Sequence, residues 1–134
     1  MTSLLKIEGI GEKYAVKLQK AGVKKLEDLL TAANTPKSRE DLAMKSEISE
    51  KLILEWVNLA DLYRIKGIGE EYSDLLEEAG VDTVPELAQR NGENLFAKIV
   101  EVNTQKNLVN KLPTTGQVKD WIEQAKKLDR IVKY

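Results

Sequence analysis

Apolar residues recur at helical spacing along most of this chain, and the breaks between them fall at glycine, threonine and proline. Tyr14, Leu18 and Ala21 share one face and predict a helix that begins directly after Gly9-Ile10-Gly11. Gly22, with Val23 behind it, stands where a left-handed residue would end that helix. Leu26, Leu29 and Leu30 predict a second helix from about Lys25. The turn Asn34-Thr35-Pro36 leads to a short helix over residues 39–45, and Leu52, Ile53, Trp56, Leu59 and Ala60 mark an amphipathic helix over 49–64. In the other half, Thr83-x-x-Glu86 is a capping box with Pro85 in the first turn. A longer helix over 93–109 follows, and Trp121, Ile122, Ala125 and Leu128 predict a last one over 118–131. Strand-like alternation is absent. The pattern predicts an all-α fold.

The same pattern occurs twice. Residues 4–25 read LLKIEGIGEKYAVKLQKAGVKK and residues 62–83 read LYRIKGIGEEYSDLLEEAGVDT, and 11 of the 22 aligned positions are identical at a constant offset of 58. So dense an ungapped match inside one short chain indicates duplication. Further on, Trp56-Val57-x-x-Ala60 answers to Trp121-Ile122-x-x-Ala125, an offset of 65 that places about seven extra residues in the stretch around Pro113 and Gly116. Two units follow, 1–61 and 62–134, each with about four helices and each near the lower size limit for independent folding. They are expected to pack together. By the repeat, another hairpin should begin where the last helix stops. The C-terminal helix is therefore expected to support the first hairpin, from the same chain or a neighbour.

Composition narrows the chemistry. The 134 residues contain no His and no Cys, which excludes Cys/His zinc sites, Cys–His or Ser–His nucleophile pairs and disulfides. The usual proton carrier near neutral pH is missing too. No enzymatic activity, cofactor or metal is expected. The acidic cluster Glu70-Glu71, Asp74 and Glu77-Glu78 lacks calcium-loop spacing and reads as a solvated face. Apolar runs are too short to span a membrane, the first residues do not resemble a signal peptide, and a cytoplasmic location is expected.

The Gly-Ile-Gly turns carry whatever chemistry the chain has. Two glycines allow a tight turn, the central Ile plugs the core, and the next amides face outward at a helix N-terminus, where a phosphate can dock. Ile7-x-Gly9-Ile10-Gly11-x-x-Tyr14-Ala15-x-x-Leu18, repeated from Ile65, resembles the helix-hairpin-helix family. Leu18-x-x-Ala21-Gly22-Val23-x-x-Leu26-x-x-Leu29 is similar to the second hairpin of tandem helix-hairpin-helix DNA-binding domains, such as recombinase N-terminal domains and the C-terminal domain of the bacterial RNA polymerase alpha subunit. A weaker hairpin, with Glu47 in place of glycine, falls at Ser46-Glu47-Ile48-Ser49. Segments such as Trp56-Val57-Asn58-Leu59-Ala60-Asp61-Leu62, Arg64-Ile65-Lys66-Gly67-Ile68-Gly69 and Ala79-Gly80-Val81-Asp82-Thr83-Val84 resemble an uncharacterised bacterial domain-of-unknown-function family with duplicated helix-hairpin-helix units. The wider resemblance implies backbone contacts to nucleic acid without sequence reading.

Charge separates the two turns. Residues 4–25 hold six Lys against Glu8 and Glu12, net +4; residues 62–83 hold Arg64 and Lys66 against six carboxylates, net −4. Where the first copy has Lys13, Lys20 and Lys24, the second has Glu71, Glu78 and Asp82. The candidate nucleic-acid-binding residues are therefore Gly9, Ile10, Gly11, Lys13, Lys17 and Lys20. Gly67, Ile68 and Gly69 form a structural hairpin whose following Glu70 and Glu71 would repel an anion. The expected partner is a DNA or RNA backbone, held weakly because residues 4–25 contain no Arg. The alternatives are a protein partner or self-association through oppositely charged surfaces, and a plain solvated helix face. Trp56, Trp121, Tyr14 and Tyr72 are expected to pack in the core, the tyrosines with exposed hydroxyls. Asp28 reads as a first-turn helix residue.

Overall fold

Caps and glycines cut the chain into helices at the places where the apolar periodicity breaks. The computed structural model describes residues 3–7 and 9–134; Glu8, counted above in the first hairpin's charge, lies outside them, as does Thr2. Among the described residues a 3₁₀ turn (Leu4–Lys6) precedes α1 (Glu12–Lys20), α2 (Leu26–Ala32), α3 (Pro36–Ser46) and α4 (Glu50–Leu62). Then follow α5 (Glu70–Glu78), α6 (Val84–Ala88), α7 (Gly92–Lys106) and α8 (Thr115–Lys127). The only β character among the described residues is an isolated bridge between Ser3 and Lys25. The fold is all-α.

Side chains cap several of the starts. Thr35 Oγ1 accepts from the Ser38 N–H at 3.1 Å with Pro36 in the first helical position, and Thr83 Oγ1 accepts from Glu86 N–H at 3.1 Å. Asn91 caps α7 through Asn94 N–H at 3.0 Å. Thr114 and Gln117 form a reciprocal capping box on α8 that the sequence reading did not single out. The stops are as specific. Gly22 and Gly80 both have φ +94°, and Val23 and Val81 donate back to Leu18 and Leu76 carbonyls at 2.8 Å, the Schellman arrangement. At Ser46-Glu47-Ile48-Ser49, Glu47 itself adopts the left-handed conformation (φ 59°) and ends α3, while Ile48 is buried. Asn107 (φ 50°) ends α7 in the same way.

The chain divides into two compact units, Met1–Asp61 with Arg130–Tyr134, and Leu62–Asp129. In the first, α1 and α2 pack on α3, and Leu18, Leu29 and Ile53 are fully buried. In the second, α6 and α7 pack on α8 and α5 packs on α7, around Leu75, Leu76, Leu87, Leu95 and Ile99. Trp56 and Trp121 are 2% and 1% exposed, the core positions expected of them. Truncating either to Ala would cost about 3–5 kcal/mol.

Two features depart from the sequence reading. Helix α8 ends at Lys127, not 131: Leu128 is already extended (ψ 135°), and residues 130–134 belong to the first unit. No Gly or Pro marks that stop, so periodicity alone ran past it. The run from Trp56 to Leu62 is buried at each position, which places Asn58 and Asp61 inside.

Candidate functional site

Each Gly-Ile-Gly turn is fixed from below by a tryptophan of its own unit. Ile10 N–H donates to the Ile7 carbonyl at 3.2 Å and Ile68 N–H to Ile65 at 3.2 Å, closing four-residue turns with Gly9 (φ +94°) and Gly67 (φ +98°) in third position. A positive φ there is what a glycine supplies without steric cost. A Cβ on Gly9 would lie 3.4 Å from Trp56 Nε1, and one on Gly67 only 2.8 Å from Trp121 Nε1. The same indoles meet Tyr14 edge-on at 5.1 Å and Tyr72 at 5.3 Å. Ile10 and Ile68 are buried, at 4% and 5% exposure. Of the candidate residues, Ile10 has its side chain in the core, the plug expected of it.

The second glycine of each turn has a different status. Gly11 has φ −86° and Gly69 φ −118°, ordinary extended values, and neither has an atom within 4 Å of an added Cβ. The fold does not require glycine at either place. Both are N-caps without a side-chain oxygen, whereas α3, α6, α7 and α8 have side-chain caps. Ala15 N–H and Ser73 N–H take the cap carbonyls at 3.0 and 2.9 Å, which leaves the earlier amides of α1 and α5 without an intrahelical acceptor.

Around the first turn the net charge is positive. Lys13 and Lys20 on α1 and Lys24 just beyond it are exposed, and Lys17 is half-buried. None of these four side chains forms an ion pair or hydrogen bond among the described residues. Glu12 also stands in the first turn of α1. The first unit holds twelve Lys and Arg against ten Asp and Glu, net +2; the second holds nine against twelve, net −3.

The second turn is closed by its own unit. Gln124 of α8 clasps the peptide groups of Lys66, Oε1 accepting from N–H at 2.9 Å and Nε2 donating to the carbonyl at 3.1 Å. Arg64 donates to the Asp129 carbonyl at 3.0 Å. Glu70 and Glu71 occupy the first turn of α5, and Glu78 pairs with Lys106. Burial, with the Glu70 and Asp74 carboxylates adding to it against a hydrogen bond from Ser73, pushes the Tyr63 phenol above its ordinary range. Burial and the neighbouring Asp82 raise the Glu86 carboxyl likewise. Negative charge is crowded here already. Tyr72 is not left with a free hydroxyl: it donates to the Lys111 carbonyl at 2.9 Å, tying α5 to the extra residues before α8.

Sequence reading missed the polar interior of the first unit. Arg39, 5% exposed, donates to the carbonyls of Ala33 at 3.0 Å and Lys133 at 2.7 Å. Its one available signal was Asn58 and Asp61 standing inside an otherwise apolar helix. No group of three or more Asp or Glu among the described residues could hold a metal ion. Among the described residues no helix is long and apolar enough to cross a membrane.

These features define an all-helical protein with two glycine-turn units of opposite charge. The chain belongs to a family known as a domain of unknown function, DUF4332, whose model matches residues 8–128. No curated protein and no solved structure matches it.

Proposed function

We propose that both units are helix-hairpin-helix modules and that the protein is a non-enzymatic, cytoplasmic binder of nucleic-acid backbone, weak and indifferent to sequence, acting through the first hairpin. The observation that carries this reading is Gly11. Neither its backbone conformation nor its surroundings call for glycine, yet a bare residue there leaves the first amides of α1 open to a phosphate oxygen. Lys13, Lys17 and Lys20 stand beside it with no carboxylate partner among the described residues. At the second hairpin the same backbone carries Glu70 and Glu71, whose charge opposes an anion.

Titration of single- and double-stranded DNA and RNA across salt tests the proposal. Three lysines on three phosphates give a salt slope of roughly −3 on logarithmic axes. The charge-reversed variant K13E/K17E/K20E should lose binding, while sequence changes in the nucleic acid should leave it alone. Binding unchanged in that variant would exclude the first hairpin. Absence of binding at low salt would instead support the second reading, a protein-interaction module. The opposite charges on two similar turns favour that alternative, and light scattering on the same samples tests it as self-association.

A further inference from the structure

The segment Arg130–Tyr134 lies on the first unit as an extended peptide lies on a receptor. Lys133 engages through its main chain, N–H donating to the Asn34 carbonyl at 2.7 Å and C=O accepting from Arg39 Nη2 at 2.7 Å. Val132 beside it is 1% exposed. The Tyr134 hydroxyl donates to Asn58 Oδ1 at 2.7 Å, and its ring faces the guanidiniums of Arg39 at 5.9 Å and Arg130 at 5.5 Å. Main-chain bonds with one apolar side chain and one aromatic anchor are the means by which domains hold extended peptides.

The groups that receive the segment are held by other contacts. Arg39 also donates to the Ala33 carbonyl, the Asn34 carbonyl sits between the end of α2 and the Thr35 cap, and Asn58 is on α4. The segment follows an extended Leu128, Arg130 Nε donates to the Val132 carbonyl at 3.3 Å within it, and Tyr134 is 53% exposed.

We propose that this seat is a peptide-binding site occupied in cis, that the segment leaves it without unfolding of the unit, and that the partner it accepts in trans is the same segment of a second copy. The chemistry commits to that occupant: a departing segment strands the Asn34 carbonyl, Arg39 Nη2 and Asn58 Oδ1, and an identical segment restores all three. Tethering sets the competition. A covalent tether of a few residues supplies the segment at an effective concentration of about millimolar, so exchange between copies shows only when the cis segment is disabled.

The test uses the full chain carrying V132D, which places a charge against the buried wall and expels the segment. A fluorescent peptide of residues 128–134 should bind this variant at least about tenfold more tightly than it binds the wild type, should not bind V132D/R39A, and should lose binding when its order is scrambled. Failure of the peptide to bind a V132D protein that retains its helical circular dichroism overturns the proposal. Should V132D not fold, hydrogen exchange on the wild type decides. The Lys133 amide should exchange faster than those of Val23 and Val81, and equal protection overturns independent release.

Discussion

Alanine at Gly67 meets two separate obstacles, and their sizes can be worked out one at a time. With φ at +98° the backbone is in the half of conformational space that a Cβ disfavours, which costs about 1–2 kcal/mol. The added carbon would also lie 2.8 Å from Trp121 Nε1, with Cδ1 and Cε2 of the same ring at 3.7 and 3.8 Å. Trp121 is 1% exposed and has no solvent side into which it can swing, so the overlap is relieved only by repacking, at about 1–3 kcal/mol more. The expected total is about 2–5 kcal/mol. Gly80 isolates the first contribution: it has φ +94° and its nearest neighbour is Arg90 Nη1 at 3.9 Å, so alanine there should cost only about 1–2 kcal/mol. Gly9, at 3.4 Å from Trp56, should fall between them. Gly11 has neither obstacle, and alanine there should stay within about 0.5 kcal/mol of wild type. Urea unfolding followed by tryptophan fluorescence and helical circular dichroism ranks the four variants. With a slope of about 1–3 kcal/mol per molar urea, the Gly67→Ala midpoint should drop by roughly 1–2 M. A Gly67→Ala protein as stable as Gly80→Ala would show that the indole does not brace the turn.

Other contacts give smaller expectations. Gln124→Ala removes both bonds to Lys66 and should cost about 1–2 kcal/mol in the same assay, with Trp121 emission altered first. Asn103→Ala frees the loop it staples at Val109, where Oδ1 accepts at 3.0 Å and Nδ2 donates at 3.1 Å; limited proteolysis around residues 107–113 should quicken. Arg39→Ala strands the Ala33 and Lys133 carbonyls in the first unit and should cost about 2–4 kcal/mol by urea unfolding. Because the folded pKa of Glu86 is raised, the folded state there holds its proton longer than the unfolded chain, so this group's contribution is most favourable at low pH and is lost as pH rises through that pKa. Glu86→Gln should therefore gain on wild type at neutral pH and lose that gain in acid; the effect is small because the side chain is exposed.

Features legible in the sequence were those that one residue type enforces locally. A glycine needing positive φ at 9, 22, 67 or 80, and a threonine before Glu86, announce a turn or a cap wherever the rest of the chain goes. The apolar stripes were legible for the same reason, since burial of Leu18 or Trp121 follows from helical spacing. The segment Arg130–Tyr134 was not. Two apolar residues, Ile131 and Val132, are too few to show a period, and what places them is a buried arginine far away in sequence. Arg39 itself was hidden because α3 carries little apolar contrast, and its burial rests on carbonyls supplied from Ala33 and Lys133.

The two turns also separate what a backbone requires from what it leaves open. At Gly9 and Gly67 the positive φ disfavours any other residue, in the basic unit and the acidic one alike, and at Gly67 the indole also stands where a Cβ would go. At Gly11 and Gly69 the backbone would accept any residue, and a serine or aspartate would cap the helix better. Keeping glycine at both second positions while the flanking charge runs from Lys13 and Lys20 to Glu71 and Glu78 has a direct consequence. On the proposed reading the same anionic partner does not serve both units, because the first turn of α5 carries two carboxylates, Glu70 and Glu71, where that of α1 carries one. A fold requirement would weigh equally on both units. A binding requirement would weigh on Gly11 alone, so Gly69→Ser should be gained at no functional cost, whereas Gly11→Ser should stabilise the helix and weaken phosphate contact together.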